Sequence, residues 1–103
     1  MSSIRIIAVP PGEAPEWVRE AWVGIELPLA EKQPEHYDEE YVQMGVLSGD
    51  PENVDGFAVK GVDAIQLLEV YNSDAASWWR ENTPWVLFVG DLIFKKDSCE
   101  LVD

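Results

Sequence analysis

Apolar and polar positions alternate with two different periods along this chain, and the change of period divides it into elements. From Asp63 onward, Ala64, Leu67, Leu68 and Tyr71 recur at i, i+3, i+4 and i+7 while Gln66 and Glu69 fall outside the stripe, which predicts an amphipathic helix. Asp63 and Gln66 have capping-box spacing, so the helix is expected to begin at Asp63 and to stop near Asn72. Ser73 or Asp74 can cap a second helix carrying Ala75, Trp78 and Trp79, and Pro84 disfavours helical geometry at Thr83 and ends it. This helical pair, at about 63–82, is the centre of the predicted fold.

Beyond Pro84 the helical period is lost. Trp85 to Val89 and Leu92 to Lys96 are rich in β-branched and aromatic residues and are separated by Gly90 and Asp91, which predicts a hairpin with a type II′ turn. Toward the N-terminus, Ile4 to Val9 reads as a strand able to bury both faces, ended by Pro10, Pro11 and Gly12. The segment from Pro15 carries a helical stripe (Trp17, Val18, Ala21, Trp22, Ile25) and also a strand-like alternation (Val23, Ile25, Leu27, Leu29). A helical turn over Pro15 to Glu20 leading into a strand from Trp22 to Leu27 accommodates both. Tyr41 to Leu47 is expected to pair with Gly56 to Lys60, and Cys99 to Asp103 either to add a few strand residues or to fray.

Sequential hairpins without a strand–helix–strand alternation imply an α+β fold with a small, curled, antiparallel sheet of five or six strands. A sheet this short can also curl into an SH3-like partial barrel, with the helical pair inserted before the last hairpin. That comparison is architectural. Trp78 and Trp79 sit in a helix here, and the chain has no ALYDY segment, so kinship with true SH3 domains is not implied.

The length of 103 residues and 47% hydrophobic content suit one domain, residues 1–103, with a single core. No apolar run approaches the roughly 18 residues needed to span a bilayer, and MSSIRIIAVPPG is broken too early by proline to read as a secretory signal. With one cysteine, Cys99, no disulfide can form within the chain, and the expectation is a soluble, cytoplasmic protein.

The net charge of −13 sharpens the list of partners. Nucleic acid backbones and anionic membranes are disfavoured, and a protein partner should be basic or neutral. The charge is uneven: Glu31 to Asp55 holds eight carboxylates against the single Lys32, a local charge of −7.

Candidate chemistry is sparse. His36, with Asp38, Glu39 and Glu40 nearby, offers metal-binding and proton-transfer groups, but no HExxH or second histidine accompanies it, and a solvated loop accounts for the segment. Asp50, Glu52, Asp55 and Gly56 lack the alternation and the final bidentate glutamate of an EF-hand. There is no GxSxG, phosphate-cradling glycine loop or dinucleotide fingerprint, so no cofactor, metal site or catalytic residue is assigned. Glu13, Glu16 and Glu20 have helical spacing that a charged outer face explains.

The tryptophans are the feature that composition does not absorb. Trp17, Trp22, Trp78, Trp79 and Trp85 are many for one small core, because each indole has a large area to cover and an N–H to satisfy. The reading is a non-catalytic protein-binding or self-association module. Its contact residues are expected among Trp17, Trp22, Trp78 and Trp79, rimmed by Asp38, Glu39 and Glu40. The alternatives are an acidic mimic of nucleic acid that occupies a basic protein, and a small ligand-sensing or enzymatic domain.

Overall fold

The computed structural model describes residues 2–12, 14–36, 56–83 and 90–102. Five strands in two antiparallel sheets and three α-helices make up this part of an α+β fold. β1 (Ser3–Ile6) lies between β2 (Glu26–Pro28) and β5 (Cys99–Val102), with Ile4 opposite both Leu27 and Leu101. β3 (Gly56–Lys60) pairs with β4 (Asp91–Lys95), with Ala58 opposite Ile93. Among the described residues the sheets do not close into a barrel. Among them, a strand-like bond from Ala30 N–H to the Ala58 carbonyl at 2.8 Å joins the chain just after β2 to β3.

β1 buries one face rather than two: Ile4 and Ile6 are fully enclosed while Arg5 is exposed and pairs with Glu100 across the ladder at 2.8 Å. The strand also ends at Ile6, short of the expected Val9. The Ser98 carbonyl accepts from both Ile7 and Ala8, and one acceptor serving two successive amides breaks the alternation a ladder requires. Ile7 and Val9 are left exposed.

Helix α1 (Glu16–Glu20) occupies the predicted helical turn, but the strand expected from Trp22 begins only at Glu26. Helical bonding continues past the helix, with Trp22 N–H donating to the Arg19 carbonyl and Val23 N–H to that of Glu20. Gly24 then reverses the chain at φ 90°, a left-handed conformation natural for glycine. Its N–H reaches the Ile6 carbonyl at 2.8 Å, and Ile6 N–H reaches that of Ile25 at 3.0 Å.

β3 runs directly into α2 (Gly61–Tyr71), so the helix starts before Asp63 and the predicted capping box does not form. Lys60 is the N-cap without a side-chain bond, and Gly61 N–H is satisfied by the Gly90 carbonyl at 2.9 Å. Asp63 lies in the first turn, where its charge suits the helix dipole. The buried stripe is Gly61, Ala64, Ile65 and Leu68, with Leu67 only partly covered and Tyr71 68% exposed. The expected place of Tyr71 in the core belongs to Ile65, because the helix presents a side rotated toward Ile65 to the core.

Asn72 alone separates α2 from α3 (Ser73–Asn82). Its N–H closes α2 on the Leu68 carbonyl, and its Oδ1 accepts from Ala75 N–H, so Asn72 takes the capping role expected of Ser73 or Asp74. Arg80 grips Glu69 through two parallel bonds of 2.9 and 2.8 Å, fastening α3 to α2. The helix ends where Pro84 predicts: Thr83 leaves helical geometry and bonds the Trp79 carbonyl through both N–H and Oγ1.

The predicted partner of β3, Tyr41 to Leu47, and the first arm of the hairpin, Trp85 to Val89, fall outside the described residues; the second arm is β4. At Ala58 the edge of β3 away from β4 is taken by a side chain. Gln33 donates from Nε2 to the carbonyls of Ala30 and Ala58 and accepts from Ala58 N–H through Oε1, imitating a neighbouring strand.

Candidate functional site

The four described tryptophans have separate fates. Trp22 is 1% exposed and packs edge-on against Phe94 at 5.2 Å and Trp79 at 6.1 Å, fastening the chain after α1 to α3 and β4. It therefore belongs to the core and offers no surface to a partner. Trp79 and Trp78 are half-buried and meet edge to face at 5.3 Å. Trp79 Nε1 is buried without a hydrogen-bond partner among the described residues. Trp17 is the exception, with half of its surface (50%) in solvent.

Trp17 lies on an excursion, Ile7 to Val23, that leaves the sheet after β1 and returns before β2. The two bonds between Ile6 and Gly24–Ile25 close its base. Arg19 braces it from within, donating from Nε to the Ala14 carbonyl at 2.8 Å and from Nη1 to that of Pro10 at 3.2 Å. Trp22 anchors it to the core. Four of the eight large hydrophobic residues exposed among the described positions, Ile7, Val9, Trp17 and Val23, lie on this excursion. The segment is thus held in place while keeping apolar side chains in water.

Charge is arranged around it. Glu16 and Glu20 are exposed neighbours of Trp17 on α1, Glu20 lying one turn away. Arg19, the cation of that helix, is committed to carbonyl oxygens within the excursion. The rim expected at Asp38, Glu39 and Glu40 falls outside the described residues, as does Trp85. The described acidic neighbours of Trp17 are instead residues whose spacing reads as an ordinary charged helix face. The signal for them was local: carboxylates at one residue before and three residues after a tryptophan on a short helix.

Of the candidate chemical groups, His36 and Cys99 are described, and they stand in different surroundings. His36 is exposed on a 3-10 turn (Pro34–His36), with Nε2 3.9 Å from Glu35 Oε1. Cys99 is in the core opposite Ile6, and burial pushes its thiol up to about 11, which keeps it protonated and a poor nucleophile at neutral pH. Among the described residues no cluster of three or more His, Cys, Asp or Glu side chains could hold a metal ion, and no helix is long and apolar enough to cross a membrane.

No family model, curated protein or solved structure matches this chain.

Proposed function

We propose that the protein is a non-catalytic binding module, whose excursion Ile7 to Val23 docks a basic or neutral protein partner through Trp17, or a second copy of the chain. The observation that carries this reading is the half-exposed Trp17 on a braced segment with other exposed apolar residues. An indole carried on a backbone braced in advance of binding requires less ordering of the chain on docking and can concentrate binding energy in one side chain, about 2 kcal/mol or more. Glu16 and Glu20 supply an acidic rim whose effect falls on encounter rate and partner choice. The bond between Ala30 and Ala58, which carries the β2 side of one sheet onto β3, supports describing the scaffold as an open SH3-like partial barrel.

Sedimentation velocity and capture from cell extract, with the full chain and its Trp17→Ala and Val70→Ala variants, test the proposal. Val70 is 78% exposed and lies on α2, so it controls for simple loss of surface apolarity. The expected result is an association lost with Trp17→Ala and kept with Val70→Ala, with circular dichroism unchanged in both. A complex indifferent to Trp17→Ala that dissolves steeply with added salt would overturn the proposal in favour of electrostatic mimicry.

A further inference from the structure

The outer edge of β5 carries an apolar step that the rest of the core does not cover. Leu101 lies opposite Ile4, and Ile4 opposite Leu27, so these three side chains share one face of the sheet. Ile4 and Leu27 are fully buried, but Leu101 is 60% exposed. The inward face therefore runs past β1 and emerges into solvent at β5.

The backbone at Leu101 is directed the same way. Ile7 N–H donates to the Ser98 carbonyl at 2.8 Å, which makes that pair a hydrogen-bonded one in the β1–β5 register. Bonded and non-bonded pairs alternate in an antiparallel ladder, so Arg5 with Glu100 and Ser3 with Val102 are bonded, while Ile4 with Leu101 is not. The N–H and C=O of Leu101 consequently point away from β1, toward the edge where no strand lies among the described residues. Cys99 N–H points away from β1 as well, but it is satisfied by the Lys96 carbonyl.

Edge strands are commonly blunted by proline, bulges or free charges. β5 reads Cys-Glu-Leu-Val, and its one charge, Glu100, is held through Oε1 by Arg5.

We propose that β5 accepts an extended segment of a basic protein as an added strand, by β-augmentation. An apolar residue of that segment packs on Leu101 from the core side, and the adjacent residue, a lysine or arginine on the opposite face, reaches Glu100. The net charge of −13 favours such a segment over a second copy of the chain, which would bring an equal negative charge to the edge. Strand addition at β5 uses none of the side chains assigned to the Trp17 reading and is tested independently of it.

The test is amide hydrogen exchange on the isotopically labelled full chain, with a short blocked peptide alternating lysine and valine as the probe. Exchange at Leu101 should slow by about tenfold or more at saturating peptide. It should not slow with a peptide in which proline replaces valine, nor in the Leu101→Lys variant, and it should be unchanged by Trp17→Ala. Equal responses to the two peptides would mean that charge alone holds them, and would overturn the proposal. So would protection of Leu101 that grows with protein concentration in the absence of peptide, which would assign the edge to self-pairing.

Discussion

Leu68 and Val70 sit two positions apart on α2 in opposite surroundings, the first fully buried and the second 78% exposed. Removing a buried leucine costs the transfer free energy of the lost atoms and leaves a cavity, so Leu68→Ala should destabilise the fold by about 2 to 5 kcal/mol. Val70→Ala should stay within about 0.5 kcal/mol, because that side chain lies mostly in solvent. Urea denaturation of the two variants checks the helix register, and equal losses would contradict it. The same contrast separates Trp22 from Trp17: both follow a glutamate or alanine in an apolar segment, yet one is enclosed by Phe94 and Trp79 and the other is half in water.

The helical hairpin is an element whose halves are tied by side chains as well as by packing. Its one-residue link, Asn72, ends one helix and caps the next, and the Glu69–Arg80 fork bridges the pair. The hydrogen bonds and charge of Arg80 hold the Glu69 carboxyl below its ordinary value, and the same carboxylate raises Arg80. A lowered folded-state pKa means that the unfolded chain binds the proton more readily. The stabilising increment is therefore present above the ordinary carboxylate value of 4.5 and is lost as pH falls through the lower value in the folded protein. Because the pair is exposed, the increment is small. Glu69→Gln should lose it at neutral pH, and the melting midpoints of variant and parent should converge as pH falls below that range. A constant gap at all pH values would mean that Glu69 acts through something other than its charge.

For the molecule as a whole, twenty carboxylates against seven Lys and Arg set a self-repulsion that individual ion pairs do not cancel. Among the described residues the two close Arg–carboxylate pairs, Arg5–Glu100 and Arg80–Glu69, are both solvent-accessible. Raising ionic strength from about 0.01 M to about 0.15 M shortens the screening length from ~30 to ~8 Å, which relieves long-range repulsion more than it weakens contacts at 2.8 Å. The melting midpoint should therefore rise over that range of sodium chloride. A falling midpoint in differential scanning calorimetry would show that the few bridges outweigh the net charge.

Local pattern alone was enough to define the α+β class, the helical pair, the stop before Pro84 and the strands at β1, β3 and β4, because period and proline geometry act over a few residues, whereas it left β5 open between pairing and fraying. It did not determine helix phase or strand ends. Tyr71 fits the α2 stripe by spacing, but Ile65 is the residue that the core covers, and the strand predicted from Trp22 yields to a turn at Gly24. Those outcomes depend on which surfaces meet. The site divides the same way: tryptophan number and acidity were visible as composition, whereas the burial of Trp22 and the exposure of Trp17 and Leu101 follow from long-range packing. An indole or a leucine has the same preference for burial wherever it stands, and only the folded chain decides which of them find cover.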